Sequence, residues 1–318
     1  MRSLAFCGTV VSVMTEITGI TLPRERAATG PVQVLGEADL IRYYSEAGPD
    51  YEAWSPAFNM HFGYAGRNPF ARETMLERMN QEVLHRAGVG EPGVERILDL
   101  GCGLGATARH AVARFPQVQV TGVTVVPWQV RRARELAAQI PGGDRIEFRL
   151  DDYQATGLPS KSFDAAYAIE SSCYGEEAGK AKLLGEAHRL LRRGGRLVVA
   201  DGFLKRPPEE MGRVSQRLVR GVRESWAIRE LGQLAEFVQE LECAGFGDVQ
   251  VEDLRWRVAP SAMQIPLVTA RFLFTELLIK RSRMTRERWN NVLGPLYGLL
   301  LALPGREMSY YLISATKN

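Results

Sequence analysis

The stretch that decides the fold is ILDLGCGLGATARHA, residues 97–111. An apolar, β-like run, RILDL (96–100), ends in a turn carrying Gly101, Gly103 and Gly105, and a helical pattern begins at once. Glycines there permit tight turns and let a ligand approach the backbone, while the helix start offers free N–H groups at the positive end of its dipole. Such a turn suits several nucleotides. Gly101-x-Gly103-x-x-Ala106 even satisfies the relaxed dinucleotide pattern, so the glycines alone do not discriminate. Their flanks do. Asp99, two residues before the first glycine, is placed to meet the ammonium of an amino acid. The next strand ends in Val123-Thr124-Val125-Val126, with no carboxylate for the ribose that a dinucleotide site would hold there. The turn reads as a grip on a nucleoside joined to an amino acid.

Outward from that turn, short β-like runs alternate with helical patterns, the signature of a doubly wound α/β fold. After 96–100 come strands at 118–126, 145–150, 163–170, 195–203, 247–255 and 308–316. The expectation is a seven-stranded, mostly parallel, Rossmann-like sheet. Amphipathic helices are expected at Gln129–Ile140, at Lys180–Arg193 before Gly194-Gly195, and at Leu231–Ala244 before Gly245. Residues 1–35 read as a disordered or extended tail, 36–92 as an N-terminal helical cap, and 93–318 as the ligand-binding core. Insertions at about 204–230 and 257–306 break the rhythm. They adjoin the carboxyl ends of the strands, where open α/β sheets bind ligands, and so read as further cap over a pocket.

Composition excludes more than it assigns. The 318 residues carry 40 basic and 37 acidic side chains, a net charge of only +3, which argues against a nucleic-acid partner. Cys7, Cys102, Cys173 and Cys243 are scattered without metal spacing and read as reduced thiols of a cytoplasmic protein. The run MRSLAFCGTVVSVMTEITGI (1–20) is too short and too broken in its apolar part for a signal peptide, and Met14 is an alternative start. Trp289–Gly305, the longest charge-free stretch near the C-terminus, is interrupted by Asn290, Asn291, Gly294, Pro295 and Pro304, so no stable membrane span is expected.

On these residues a family resemblance rests. ILDLGCGLGATARHA resembles motif I of class I S-adenosylmethionine (SAM)-dependent methyltransferases. GVTVVPWQVRRA (122–133) resembles the GITLSxxQ segment of sterol, tocopherol and cyclopropane-type C-methyltransferases, and FRLDDYQATGLPSKSFDAAYA (148–168) resembles their adenine-binding loop. LLGEAHRLLRRGGRLVVADGF (183–203) is similar to the helix and strand that follow, so the likeness covers about residues 40–205. It implies SAM as cofactor, held by Asp99, Gly101, Cys102, Gly103, Thr124, Val125, Gln129, Asp152 and Tyr153. A decayed fold kept only for protein interaction is the alternative, which the retention of Asp99, Gln129 and Asp152 argues against.

Methyl transfer from a sulfonium asks mainly for alignment and exclusion of water. An oxygen or nitrogen nucleophile must also lose a proton; an alkene attacks directly and leaves a carbocation to be shielded and deprotonated. Glu170 ends the apolar fourth strand at the ligand-binding edge, where a carboxylate can face a cation and take its proton. AIESSCY (168–174) resembles the Glu-Ser-Ser stretch of prenyl-diphosphate C-methyltransferases, which implies Glu170 as base beside the cofactor. A purely structural hydrogen bond to cap or loop is its other reading. YYSEAGPDYEAWSPAFNMHFGYAG (43–66) resembles the YYD…W…HxGY entry region of sterol- and tocopherol-type enzymes, with Ser45 in place of the acid. That likeness implies Tyr43 beside SAM. It offers His61 as general base for an O- or N-methyltransferase, against a structural histidine.

Tyr51, Trp54, Phe58, Tyr174, Trp226 and Phe272 are the expected substrate contacts, as aromatic faces attract cations, although packing alone also explains such rings. Cys173 reads as packing. The insertions add Phe237, Phe274, Leu277, Leu278, Tyr297, Leu299 and Leu300, enough apolar surface for a large apolar small-molecule substrate or for a homo-oligomer interface. The basic run KRSRMTRER (280–288) reads as a solvated face, with a diphosphate or a membrane surface as its alternative partners. No metal-ligand cluster is visible; a diphosphate substrate would bring Mg²⁺ with it. The whole reads as C-methylation of a prenyl or terpenoid alkene, with or without cyclisation, against O- or N-methylation of a polyketide, sugar or alkaloid.

Overall fold

Parallel strands need a crossover to bring the chain back, and amphipathic helices between apolar runs supply it. The computed structural model describes residues 36–302 and 307–318; the tail reading for residues 1–35, Met14 and Cys7 lie outside them. Seven strands form one sheet: β1 Arg96–Leu100, β2 Gln119–Thr124, β3 Ile146–Leu150, β4 Phe163–Ile169, β5 Leu191–Leu204, β6 Phe246–Asp253 and β7 Met308–Lys317. Their order is β3-β2-β1-β4-β5-β7-β6. All neighbours are parallel except β7, which runs antiparallel to both β5 and β6.

Side chains alternate across the sheet and make a core on each face. On one face Ile97 and Val120 meet Met79, Val83, Ala108, Val112 and Ala133 from α3 (Arg72–Arg86), α4 (Ala106–Arg114) and α5 (Pro127–Ala137). On the other, Leu98 and Val199 meet Leu183, Leu184, Phe237 and Leu241 from α6 (Ala181–Leu190) and α8 (Leu234–Cys243). Phe237, read from sequence with the cap, therefore belongs to the central core. The helix expected to reach Arg193 ends at Leu190, before the glycines. Leu191 is fully buried and pairs with Phe163 at a β4–β5 register shift, so sheet pairing takes over where local propensity would continue the helix.

The remaining elements gather near the strands' carboxyl ends. They are α1 (Glu37–Ala47), α2 (Tyr51–Trp54), α7 (Arg213–Trp226), α9 (Arg255–Ala262), α10 (Ile265–Leu273) with a π-helical turn Phe274–Ile279, and α11 (Arg286–Ala302). The stretch from Arg255 to Ile279 is long and apolar enough to cross a membrane by length and composition. The sequence reading missed it, because Pro260, Pro266 and four arginine or glutamate side chains interrupt its pattern.

Candidate active site

Chain order reverses between β1 and β4, and the crevice beyond that switch point is where such sheets bind ligands. Two cavities open there. The smaller, about 740 Å³ including its mouth, is lined by Asp99, Gly101, Cys102, Gly103, Thr124, Val125, Gln129 and Tyr153, all expected from sequence. The loop's shape follows from two of its glycines. Gly101 has φ +90°, and a Cβ there would stand 2.4 Å from the Ser171 Cβ. Gly103 has φ +51° and open space on its Cβ side apart from Met60 Sδ at 3.4 Å, leaving the backbone accessible from the cavity.

Asp99 is buried, and Tyr167 donates a hydrogen bond to it at 2.9 Å. Burial pushes its carboxyl up to about 7, against the pull of the tyrosine; no basic side chain acts on it. Thr124 donates to Gln129 Oε1 at 2.6 Å. The Gln129 amide nitrogen, on a residue only 3% exposed, has no protein partner among the described residues. The pocket thus offers an unneutralised carboxylate, an unclaimed amide donor and an open glycine backbone. That donor set fits an ammonium, a ribose hydroxyl and a carboxylate, the groups of SAM, and no acidic residue stands at the end of β2, where a dinucleotide site would use one.

The larger cavity encloses about 1450 Å³ including its mouth and is walled by the cap. Tyr51, Trp54, Tyr174, Trp226 and Phe272 line it as expected. Glu170 lines both cavities. It sits at φ +48°, uncommon for a residue with a side chain, where β4 turns away from the sheet. Its Oε1 accepts from the Phe62 N–H at 2.6 Å and from the Tyr310 hydroxyl at 3.0 Å. Burial pushes this carboxyl up to about 8, the Phe62 hydrogen bond opposing it and the nearby Asp201 adding to it.

Four expected site residues are placed or engaged differently from the sequence reading. Tyr43 lines neither cavity: it is buried against α11, its hydroxyl on Tyr51 at 3.1 Å and Asn291 at 3.0 Å. One residue on, about 100° round the helix, Tyr44 lines both cavities and shares a 2.9 Å hydrogen bond with Tyr174. Phe58 lines the smaller cavity, not the larger. Asp152 lines neither; its carboxylate accepts from the Gln154 N–H at 2.9 Å and shapes its own turn. His61 faces both cavities, but its ring nitrogens are engaged, Nδ1 with the Phe62 carbonyl and Nε2 with Asn80 Oδ1, each at 2.9 Å. Burial also lowers its basicity, which works against a role in taking a substrate proton.

Three lining groups were not foreseen: Tyr310 of β7, Asp201 of β5 and Asp50, which Arg288 holds with two hydrogen bonds of 2.8 Å. Asp201 is buried and accepts from Ser172 at 2.7 Å and from the Cys173 N–H at 3.0 Å. Cys173 is buried, and burial pushes its thiol well up, which agrees with packing. No group of three metal-ligating side chains occurs among the described residues.

Residues 97–195 match the family described as a methyltransferase domain. This stretch of the chain is a methyltransferase domain. Among relatives of this chain, the 2-methyl-6-phytyl-1,4-hydroquinone methyltransferase of Synechocystis sp. is 28% identical over 63% of this chain and 62% of its own length. The 27-O-demethylrifamycin SV methyltransferase of Amycolatopsis mediterranei is 29% identical over 68% of this chain and 79% of its own. The chain spans between 45% and 62% of the length of the first four curated relatives it matches. The geranyl diphosphate C-methyltransferase of Streptomyces coelicolor A3(2), solved with Mg²⁺, geranyl diphosphate and S-adenosyl-L-homocysteine, superposes with a TM-score of 0.65. It covers 92% of this chain and 100% of its own at 18% identity, a likeness of fold.

Proposed function

We propose that this methyltransferase carries a methyl group from SAM to a carbon–carbon double bond of a small, electroneutral, isoprenoid-like molecule, with Glu170 as the base. The observation that carries the reading is Glu170 itself, a carboxylate at the junction of the two cavities. SAM supplies the electrophilic methyl group. Asp99 receives its ammonium, the Gly101–Gly103 backbone its amino-acid end, and Gln129 with Thr124 its ribose. The cap residues Tyr44, Tyr51, Trp54 and Tyr174 exclude water and present aromatic faces to the cation left on the substrate when the alkene takes the methyl group. Glu170, steadied by Phe62 and Tyr310, stabilises that cation and then accepts the proton from the neighbouring carbon, whose C–H electron pair becomes the new double bond.

The larger cavity's charge bears on the substrate class. Among its described lining residues there is no lysine or arginine, while Asp50, Glu170 and Asp201 are acidic. No cationic side chain among those lining residues is there to hold a diphosphate, so a neutral prenyl or terpenoid alkene fits better than a prenyl diphosphate, and Mg²⁺ has no substrate-borne ligand to accompany. The second reading is O- or N-methylation. It is favoured by the coverage of the rifamycin-acting relative, and would give Glu170, not His61, the proton. Incubation with methyl-labelled SAM and a panel of neutral terpenoids, prenyl diphosphates, phenols and amines, read by mass spectrometry, decides between them. New carbon-bound methyl on a neutral alkene is expected; label only on oxygen or nitrogen refutes the C-methylation reading.

A further inference from the structure

The cap run Arg255–Ile279 has two sides, and the site uses one. Val258, Ile265, Val268 and Phe272 line the larger cavity. The opposite side carries Trp256, Met263, Leu267, Phe274 and Leu278, each between 57% and 81% exposed. They recur at intervals of seven, four, seven and four residues, the spacing of positions that share one side of a helix. Only 22% of the run's most apolar window is buried. Soluble surfaces rarely leave so continuous an apolar strip uncovered.

The exposed charges of the run and of the residues directly after it are basic. The only acid between Arg255 and Ile279 is Glu276, buried and bound to Arg288 at 2.7 Å and Lys280 at 2.8 Å. Arg271 is exposed beside the strip. Arg281 and Arg283 follow it directly, exposed and without an ion pair among the described residues. A membrane span does not suit the run, since the Met263–Gln264 turn breaks it, Pro260 and Pro266 interrupt its hydrogen bonding, and its other side is committed to the cavity. A two-fold pairing of this face with a second copy would set Arg271, Arg281 and Arg283 near their own images.

We propose that this face docks on the surface of an anionic lipid bilayer, the apolar strip entering the interface and the arginines meeting lipid phosphates. The wall of the cavity then rests on the phase in which a neutral apolar substrate dissolves. That use of the docking rests on the function proposed above; the docking itself does not.

The test is co-sedimentation of the full chain with vesicles of phosphatidylcholine alone or mixed with phosphatidylglycerol, without substrate, alongside sedimentation velocity in lipid-free buffer. Binding to the anionic vesicles is expected, weakening as salt rises. Leu267→Ser with Phe274→Ser should reduce it at least about tenfold, and Arg281→Gln with Arg283→Gln about 30-fold. Both variants should keep the wild-type affinity for S-adenosylhomocysteine, which shows that they fold. Wild-type chain that ignores both vesicles overturns the proposal. So does undiminished binding by the Leu267/Phe274 variant, or a lipid-free dimer that this variant dissociates while neither form binds vesicles. Because no substrate is present, failure to find methyl transfer to an alkene leaves this result standing.

Discussion

Glu170→Gln separates charge from shape at the junction of the cavities. Both hydrogen bonds to this side chain, from Phe62 and Tyr310, end on the same oxygen. A glutamine can accept both with its carbonyl oxygen, so the strained turn and the loop beside it should persist. What disappears is the ability to take a proton and to face a cation as an anion. Removing a positioned base costs about 10²–10⁴ in rate, a barrier increase of about 3–5 kcal/mol. Turnover should fall within that range while the dissociation constant for S-adenosylhomocysteine, measured by calorimetry, changes less than about threefold.

The pH dependence follows from the same burial. With the carboxyl pushed up to about 8, only about a tenth is ionised at pH 7, so kcat/KM should rise close to tenfold per pH unit below 8 and level above it. A sulfonium held next to the carboxylate favours its ionised form, so the corresponding limb of kcat at saturating SAM should lie at lower pH. The folded group binds its proton more tightly than the unfolded one, whose ordinary value is 4.5. Its contribution to stability is therefore fully present below that value and is lost as pH rises towards 8. The glutamine variant should lack both the kinetic limb and this part of the slope of unfolding free energy against pH. Retention of more than about a tenth of wild-type turnover, with the limb still present, would refute Glu170 as base.

Asp99→Asn should weaken S-adenosylhomocysteine binding about tenfold to 100-fold, a charge-assisted hydrogen bond's worth. Wild-type affinity should rise with pH through about 7 as this carboxyl ionises; calorimetry across pH checks both. His61→Gln should leave turnover within about tenfold and the kinetic pH limb in place, since both ring nitrogens are already engaged; loss of the limb in a folded variant would return the base role to His61. Gly101→Ala combines φ +90° with a Cβ 2.4 Å from Ser171, and chemical denaturation should show a loss of about 3 kcal/mol or more. Lys180, fully buried, donates to the carbonyls of Cys173, Gly175 and Glu230. Lys180→Met strands all three and should cost about 3 kcal/mol by the same measurement.

What the sequence disclosed follows from distance along the chain. Asp99, the glycines, Thr124 and Gln129 lie at the ends of adjacent parallel strands or just beyond, so strand–turn–helix periodicity sufficed to put them around one pocket. Tyr310 was out of reach. It meets Glu170 from 140 residues away, on a strand whose insertion between β5 and β6 no local pattern announces. Tyr43 and Tyr44 differ by one step of a helix, and choosing between them requires knowing that α11 covers one side of α1. His61 and Asp152 have the chemistry expected of them, yet each is occupied by neighbours on its own or an adjoining element.

Glu170 joins these two kinds of information. Its position at a strand end is local and was legible; its acidity is not, since it depends on Phe62 from the N-terminal segment, Tyr310 from the last strand, Asp201 from β5 and a cap that excludes water. The cap is drawn from the segments with the least regular sequence pattern. Its inner side sets the charge of the larger cavity, and its outer side carries the apolar strip. A substitution that loosens the cap without touching Glu170 should therefore lower that carboxyl towards 4.5 as water enters, and move the kinetic limb down with it. Trp226→Ala, at the wall between α7 and α11, is such a change. A limb that stays near pH 8 in this variant would mean that Asp201, rather than the dry cap, holds the acidity of the site.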